Sequence, residues 1–287
     1  MATKTSKPQA AAKTPTIAYQ SNPFSLSFDK FGLFFEKNLG WAIVLIVVPI
    51  LYFFLQMLGA ALDTTTASAH SAAHHAANSE VTPWLAATVV FLVAFSAIII
   101  AAIIFVSVAF NSFISGVFAY VALENDAGRT ASFRGAIDAV VARFWRLLLA
   151  QLLATVKIFG WTLLFIIPGI VAAFRYTLLP YLIMDEPATK KGVKESHERI
   201  KTLVKGRKRE IFGVATVATI IPVVGSINQV VGNAALYRQL QVFSDKKLQK
   251  APVHWLNYFG FILIGLYILL IAFVIAIAIL AESTQPL

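Results

Sequence analysis

Long uncharged runs dominate the pattern of hydrophobic and polar positions along this chain. Residues 39–62 carry no charged side chain in 24 positions, and residues 84–123 carry none in 40. About 20 consecutive apolar residues cross a bilayer as a helix. The first run therefore predicts a membrane span with a kink at Pro49. The second predicts one long tilted helix because no turn signal interrupts it, with a bend near 111–116 as the alternative.

A proline followed by a glycine interrupts the third apolar run. Pro168-Gly169 lies near the middle of residues 147–184, and this dipeptide is a strong turn signal. We therefore predict two short spans in this region, 147–167 and 170–184, that together cross the membrane twice.

The two remaining apolar runs differ in length and in the presence of turn signals. Residues 211–237 contain Pro222 and Gly225 at their centre and are short for two full crossings. They predict a proline-broken re-entrant hairpin, and a single ordinary span is the alternative. Such backbone is stable at membrane depth only where protein buries it or where it lines a cavity. Residues 255–281 predict the last span.

The distribution of basic residues is consistent with this division into spans. Of the 24 lysines and arginines, 22 fall in four clusters: five in 1–38, four in 124–146, nine in 190–209 and four in 238–250. The loop 63–83 and the tail after Ala281 contain none. Cytoplasmic loops are enriched in Lys and Arg. All four clusters lie on the cytoplasmic side only if residues 147–184 cross the membrane twice and residues 211–237 enter the membrane and return to the same side.

These patterns predict an all-α, polytopic transmembrane helical bundle. It has about five full spans plus the proline-broken re-entrant hairpin, with its N-terminus cytoplasmic and its C-terminus external. Residues 1–22 are polar and basic and predict a disordered cytoplasmic tail, because they lack the apolar side chains that a core needs. Residues 23–287 predict a single transmembrane helical domain.

The amino-acid composition indicates which class of partner the chain can bind. The 287 residues are 58% hydrophobic and 13% charged, with a mean hydropathy of +0.75, whereas about a quarter of a soluble domain is charged. The net charge of +10 does not indicate nucleic acid, because so apolar a chain has too little polar surface to bind it. A membrane protein with a basic cytoplasmic face accounts for both features. The absence of cysteine excludes disulfides and thiolate metal sites.

Two segments outside the spans are candidates for contact with the membrane surface. Phe24, Phe28, Phe31 and Phe35 share one helical face, which predicts either an interfacial helix or aromatic caps on the bundle core. The segment 190–209 predicts either a helix on anionic lipid, where each cation adds about 1 kcal/mol, or a topology determinant alone. Its basic residues are Lys190, Lys191, Lys194, Arg199, Lys201, Lys205, Arg207, Lys208 and Arg209.

Two charged residues fall inside predicted spans. Lys157 and Arg175 are costly at bilayer depth and therefore indicate function by default. For Arg175 the candidate partners are the carbonyls around Pro168, the carboxylate of Glu124, and a lipid phosphate. The favoured role of Arg175 is structural, as a brace for the proline break.

The loop 63–83 contains a candidate metal site. His70 and His74 are four residues apart and would share one face of a helix, as a metal site requires. Only Asp63 and Glu80 offer further ligands there, so a solvated low-complexity linker is favoured. The sequence has no glycine-rich phosphate loop, no paired carboxylates within a span, no HExxH and no GxSxG. It therefore predicts no cofactor and no catalytic site.

Residues from about 120 to 238 resemble a bacterial family. The resemblance rests on the run Leu163-Leu164-Phe165-Ile166-Ile167-Pro168-Gly169-Ile170, then Arg175, Leu179-Pro180, Asp185-Glu186, Ser196 and a closing Tyr237-Arg238. This pattern is similar to uncharacterised multi-span proteins of the YciC type and to the membrane domain of some glycerophosphodiester phosphodiesterases. The resemblance implies a bundle of about six spans in the bacterial inner membrane and a lipid-related role. The catalytic domain of those phosphodiesterases has no counterpart in this sequence, so their activity is not carried over.

We therefore expect a non-enzymatic integral membrane protein, either a scaffold or accessory subunit of a membrane assembly or a lipid-interacting helper. Its expected partners are anionic lipids of the cytoplasmic leaflet, together with other membrane subunits or copies of itself. The alternative is a small-solute or lipid transporter that uses the broken segments around Pro168 and Pro222. Paired, interrupted helices are typical of transporter repeats.

Overall fold

Helices make up the secondary structure of the protein. The structure, a computed structural model, describes residues 19–74, 83–190, 192–221, 224–246, 248 and 251–283, and no strand occurs in these ranges. In chain order the helices are α1 (Pro23–Phe28), α2 (Phe31–His74), α3 (Pro83–Asp126), α4 (Phe133–Val141), α5 (Phe144–Leu164), α6 (Ile166–Tyr176), α7 (Leu179–Asp185), α8 (Val193–Leu203), α9 (Lys208–Ile220), α10 (Gly225–Asp245) and α11 (Phe259–Ser283). A short 3-10 helix, Trp255–Tyr258, leads into α11.

Five segments of the described chain are long and apolar enough to cross a membrane, judged by length and composition. They are Pro23–Val48, Ala94–Asp126, Phe144–Leu164, Ile167–Asp185 and Trp255–Ile277. The all-α fold class is confirmed, and these helices are those of a multi-pass membrane protein. The prediction that 84–123 forms one uninterrupted helix is also confirmed, because α3 runs through all of it.

Polar caps and glycines set several helix boundaries. The side chain of Asn22 caps α1 by accepting a backbone N–H at 3.0 Å, and that of Ser132 caps α4 in the same way at 3.1 Å. Gly128 and Gly206 have φ angles of +75° and +76°, a left-handed conformation that favours glycine. These two glycines turn the chain after α3 and after α8.

Helix α2 bends at a buried asparagine. Asn38 is the one residue with non-helical backbone angles that the structure describes within α2 (φ −130°, ψ 36°). Its Oδ1 accepts the Ala131 N–H at 2.9 Å, and its Nδ2 donates to Asn125 Oδ1 at 3.3 Å. The sequence predicted the kink at Pro49, whereas contacts with the turn between α3 and α4 place it at Asn38.

Helices α9 and α10 form an antiparallel pair over the region predicted as a hairpin. Gly225 lies against the carbonyl of Ala218, and Gly232 lies against Val214, so the two helices run in opposite directions. Helix α1 packs on both. Neither helix is among the five candidate spans, and Pro222 lies outside the described residues.

The hydrophobic core lies at one end of the long helices. We call this part the base: α1, the start of α2, the end of α3, the start of α5, and α7 to α10. Its fully buried large side chains include Phe34, Leu147, Ile183, Ile211 and Tyr237. The base therefore holds the packing contacts that position the charged residues described below.

The remainder of the long helices presents apolar side chains outward. Exposed large hydrophobic residues concentrate in 47–57, 91–110, 156–171 and 261–277, which we call the outer segments. Exposed apolar surface on this scale marks contact with a membrane or another protein. The outer segments therefore account for most of the hydropathy that the sequence shows, while the base accounts for the packing.

The break between α5 and α6 comes earlier than the sequence predicted. Phe165 is extended (φ −156°, ψ 129°) and ends α5, whereas Pro168 and Gly169 lie in the first turn of α6. Proline is tolerated there because the first N–H groups of a helix have no acceptor within it. The predicted boundary at 168–169 is therefore wrong by three residues.

A second break, which the sequence did not predict, divides the span drawn at 170–184. Helix α6 ends at Tyr176, and α7 starts at Leu179 with Pro180 in its first turn. Proline fixes its own φ and disfavours helical angles in the preceding residue. The Leu179-Pro180 pair therefore explains the break.

Two regions predicted to lack structure are ordered in part. Residues 63–74 were predicted as a linker, but they continue α2 as far as His74, because this alanine-rich stretch contains neither glycine nor proline. Residues 19–22, predicted as part of the tail, are hydrogen-bonded to the base: Ser21 Oγ donates to the Pro252 carbonyl at 3.0 Å. Residues 1–18 and 75–82 lie outside the described residues.

Candidate functional site

Glu186, just after α7, is the centre of an ion-pair cluster in the base. Its carboxylate contacts the guanidinium of Arg146, and it accepts hydrogen bonds from Lys190 Nζ at 3.0 Å and from Arg199 Nη1 at 2.7 Å. The side chains of Arg146 and Glu186 are both 6% exposed. Burial raises the pKa of Glu186, but hydrogen bonds from Arg146 and Lys190 outweigh it and bring that pKa below its usual value.

Backbone and hydroxyl contacts complete this cluster. Arg146 Nη2 donates to Ser196 Oγ at 2.6 Å, and Ser196 Oγ donates to the Gly192 carbonyl at 2.8 Å. Arg143 Nε donates to the Glu186 carbonyl at 3.0 Å. The cluster thereby ties α5 and α8 to the end of α7.

Asp185 connects the same end of α7 to α10. Arg238 Nη1 donates to Asp185 Oδ1 at 2.6 Å, and Tyr237 Oη donates to Oδ2 at 3.0 Å. Burial raises the pKa of Tyr237, and the Asp185 carboxylate raises it further, so the phenol stays a hydrogen-bond donor. Arg238, a residue singled out in the sequence, is therefore part of an ion pair within the base.

A third carboxylate, Glu210, is fully buried at the start of α9. It accepts from Tyr19 Oη at 2.5 Å and from Arg207 Nη1 at 2.8 Å. The Arg207 guanidinium also lies 4.8 Å from the centre of the Tyr19 ring and donates to the Ala251 carbonyl at 2.6 Å. This cluster fixes the chain before α1 and the chain before the 3-10 helix onto α9.

Lys157 lies against two aromatic rings. Its Nζ is 3.4 Å from His197 Nδ1 and 5.9 Å from the centre of the Tyr176 ring. His197 is buried, with its Nε2 at 2.9 Å from the Ala150 carbonyl. Burial lowers the pKa of His197 and the Lys157 charge lowers it further, and these two effects outweigh the hydrogen bond to Ala150, which raises it. The structure thus brings a predicted intramembrane charge into contact with the basic helix α8.

Arg175 has no hydrogen bond or ion pair with the residues that the structure describes. Its sequence-predicted partner Glu124 binds Arg129 instead, at 2.6 and 2.8 Å. Phe174 and Phe212, whose ring centres are 5.2 Å apart, pack the end of α6 on α9. Burial lowers the pKa of Lys208, and the nearby Arg175 charge lowers it too. Two cations thus lie near each other, and the expected brace for the proline break is not seen among the described contacts.

Gly169 has a packing role next to Pro168. A Cβ at Gly169 would lie 2.8 Å from the Cα of Thr162, so glycine is required for α6 to approach α5 this closely. The Pro168-Gly169 pair therefore supports the α5–α6 hairpin even though it does not form the turn.

The nine basic residues of 190–209 divide into two groups. Lys190, Arg199 and Arg207 bind buried carboxylates, and Lys201 lies 3.5 Å from Glu198. Four others have no carboxylate partner within the described chain: Lys194, Lys205, Lys208 and Arg209. Arg209 instead donates to Tyr258 Oη at 2.5 Å, and Lys191 lies outside the described residues. Of the nine residues predicted to face lipid, four therefore already have a carboxylate partner within the described chain.

A polar cleft lies between α3, α5, α6, α7 and α10. Two adjoining cavities of about 270 and 250 Å³ share Asn111 and Ser115 in their walls. Gln151 donates to Ser115 Oγ at 2.5 Å on one side, and Gln229 and Asn233 line the other. No charged side chain is found in the walls of either cavity.

The candidate metal site at His70 and His74 gains no support. Their helical backbone agrees with the i, i+4 spacing, but their side chains are outside what the structure describes. Across the described residues there is no group of three or more histidines, aspartates or glutamates that could hold a metal ion.

Sequence reasoning missed the central pair of the site. Arg146 counted only as one of four cations in 124–146, and Glu186 entered only through the family resemblance. Forty residues separate them, and no local spacing signals a contact over that distance. The structure does bring Asp185, Glu186, Ser196, Tyr237 and Arg238 together, all of which belong to the pattern behind the resemblance.

Comparison of the chain with known proteins identifies no relative. The chain matches no protein-family model, no curated protein and no solved structure. The resemblance to the YciC-type proteins therefore stays a prediction.

Proposed function

We propose that the protein is a non-enzymatic, lipid-interacting scaffold of the bacterial cytoplasmic membrane. In this proposal the base faces the cytoplasm, the N-terminus is cytoplasmic and the C-terminus is external. Four basic residues of α8, α9 and the turn between them, which we call the basic surface, bind anionic lipid headgroups, and the outer segments lie in the hydrocarbon. The basic surface consists of Lys194, Lys205, Lys208 and Arg209.

The observation that carries the proposal is a group of four cations beside the apolar helices that have no carboxylate partner among the described residues. Lys194, Lys205 and Arg209 are exposed, and Lys208 is half-buried. The carboxylates closest in sequence are already occupied, since Glu195 binds Lys190 at 2.8 Å and Glu210 binds Arg207. A cation near an anionic leaflet contributes about 1 kcal/mol, so four such residues favour anionic lipid substantially.

Lipid selectivity in proteoliposomes tests the proposal. The protein is reconstituted in phosphatidylcholine vesicles that contain spin-labelled phosphatidylglycerol or spin-labelled phosphatidylcholine, and the motionally restricted fraction of each label is measured. We expect the wild type to favour phosphatidylglycerol at low salt. A variant with Lys194→Gln, Lys205→Gln, Lys208→Gln and Arg209→Gln should lose most of that preference.

Arg134→Gln is the matched control, because the Arg134 side chain is 94% exposed and lies 3.9 Å from Asp138, outside the basic surface. It should leave the selectivity unchanged. Equal selectivity in the wild type and the quadruple variant would contradict the proposal.

A transporter is the second candidate, and the neutral polar cleft around Asn111 favours it. A chain without cysteine allows a clean test with single-cysteine variants. Asn111→Cys and Gln229→Cys are treated with a membrane-impermeant thiol reagent from each side of sealed vesicles. Labelling from both sides supports a solute path, while protection from both supports the scaffold. Phe261→Cys, in an outer segment, is the lipid-facing control.

A further inference from the structure

A cationic cavity opens beside the Glu186 cluster. It has a volume of about 380 Å³ and lies between α4, α5 and the start of α8. Its walls include Arg143, Arg146 and Lys190, and no acidic side chain lines it. A cavity with three cations and no carboxylate in its walls favours an anionic occupant.

The side chain of Arg146 lines this cavity, and its guanidinium has hydrogen-bond donors that are not used. Its Nη2 binds Glu186 and Ser196, but its buried Nε and Nη1 have no hydrogen-bond partner among the described residues. The Arg146 side chain is 6% exposed. Buried donors without a partner carry a free-energy penalty, so an acceptor oxygen close to this guanidinium would be stabilising.

The charges around the cavity do not balance. Arg143, Arg146 and Lys190 line the cavity, and Arg199 also binds Glu186. Among the described residues, two carboxylates pair with these cations, Glu186 and Glu195. Positive charge therefore remains in excess, which favours an anionic occupant such as the singly charged phosphodiester of a phospholipid.

The outer wall of the cavity is apolar and faces outward. Trp145, Val141 and Leu149 line it and are 69%, 60% and 49% exposed. Tryptophan is enriched at the level of lipid headgroups. Further along α5, Val156 and Phe159 continue the exposed apolar surface into an outer segment.

We propose that this cavity is a specific binding site for the phosphate of an anionic phospholipid. The guanidinium of Arg146, together with Arg143 and Lys190, supplies positive charge to the phosphate, and the acyl chains lie against Trp145 and the exposed face of α5. This inference rests on the proposed lipid-binding function and adds a discrete site to it. The phospholipid is favoured over a free anion because the rim is apolar.

The test is a titration of the delipidated full-length protein in nonionic detergent. Short-chain phosphatidylglycerol, inorganic phosphate and short-chain phosphatidylcholine are added separately, and binding is followed by the shift in thermal unfolding temperature. We expect one saturable phosphatidylglycerol site, with at least about tenfold weaker binding of the other two. Phosphate binding as tight as the lipid would assign the cavity to a free anion and contradict the lipid as occupant, and equally tight phosphatidylcholine would contradict anion selectivity.

Two variants locate the site. Arg146→Gln removes the central donors and should weaken phosphatidylglycerol binding at least about tenfold. Because this substitution also breaks a buried ion pair, Ala142→Leu provides a second variant that fills the cavity wall and keeps every charge. It should weaken binding to the same degree, while Ala127→Leu, an exposed alanine away from the cavity, should not. Unchanged affinity in Ala142→Leu would overturn the proposal.

Salt separates this site from the general basic surface. Exposed charges are screened strongly at high ionic strength, whereas partly buried ones are screened much less. Saturable phosphatidylglycerol binding should therefore persist at about 0.5 M salt and should also persist in the quadruple variant of Lys194, Lys205, Lys208 and Arg209. A wild type that has the saturable site but shows no general preference for phosphatidylglycerol at low salt would contradict the proposed function alone. A wild type that shows the general preference but has no saturable site would contradict the cavity alone.

Discussion

The guanidinium of Arg146 contacts the carboxylate of Glu186 across 40 residues of sequence, and both side chains are 6% exposed. This pair joins α5 to the end of α7 within the base. Lys190 and Arg199 bind the other carboxylate oxygen, so Glu186 binds cations from three parts of the chain. Its removal leaves buried charge without a partner, which makes it the position where one substitution should affect stability most.

Glu186→Gln is expected to destabilise the protein by about 3 to 5 kcal/mol, the range for breaking a buried ion pair. Glu124→Gln is the matched control, since the Arg129 partner of Glu124 is 61% exposed and a surface pair contributes about 0 to 1 kcal/mol. Unfolding by denaturant in detergent micelles measures both. Similar losses in the two variants would show that burial does not strengthen the Glu186 contacts.

The link between Asp185 and Arg238 is expected to behave as a coupled pair. Asp185→Asn and Arg238→Gln each remove one charge of the 2.6 Å ion pair, so the double variant should lose less than the sum of the two. We expect a coupling free energy of about 1 kcal/mol in a double-mutant cycle. Additive losses would mean that the two side chains act independently. Arg134→Gln paired with Asp185→Asn is the control cycle, and it should be additive.

Glycine is required where α9 and α10 meet. A Cβ at Gly225 would lie 1.9 Å from the Ala218 carbonyl oxygen, whereas a Cβ at Gly40 in α2 has no atom within 4 Å. Gly225→Ala should therefore cost about 1 to 3 kcal/mol through overpacking. Gly40→Ala should stabilise by about 0.5 to 1 kcal/mol, because alanine loses less backbone entropy in a helix. Thermal unfolding of the two variants should shift in opposite directions.

His197 should make stability depend on pH between about 7.5 and 5.5. Its folded-state pKa lies below the unfolded value of about 6.5, so the unfolded state binds more protons in this range. Stability therefore falls as the pH falls through 6.5. Glu186 does not contribute here, because the pKa of an unfolded Glu is about 4.3 and the pKa of Glu186 is lowered in the folded state, both below this pH range.

The measurement for His197 is the unfolding temperature of wild type and His197→Gln at the two pH values. Glutamine keeps a donor for the Ala150 carbonyl but does not titrate. The wild type should lose more stability on acidification than the variant. The same loss in both would assign the pH dependence to other groups.

Hydropathy was sufficient to predict the long apolar helices α3, α5 and α11, because a membrane span requires a long apolar run whatever the tertiary contacts are. It located α3 correctly and placed α5 and α11 within a few residues. The break at Phe165 was missed because proline and glycine are also compatible with the first turn of a helix. The end of α2 was missed because an alanine-rich stretch without apolar periodicity gives no membrane signal.

The candidate site was harder to predict than the fold. Arg175 and Lys157 stood out because charge is rare in apolar runs, and the structure places Lys157 against His197 and Tyr176. Arg146 and Glu186 did not stand out, because each lies at the end of a run among other charged residues. Only the three-dimensional arrangement of α5, α7 and α8 shows that these two are buried together.

Helix α11 contacts the described chain mainly through its first turns, where Gly260 approaches Phe212 of α9. Most of its side chains from Ile264 to Ile277 are exposed, so their free energy comes from transfer into hydrocarbon and not from fit to a neighbour. Mutation can therefore exchange one apolar residue for another there with little consequence. The base has no such freedom, since each of its side chains fills a defined shape. Substitutions in the exposed part of α11 are therefore constrained by hydrophobicity alone, whereas substitutions in the base are constrained by residue identity.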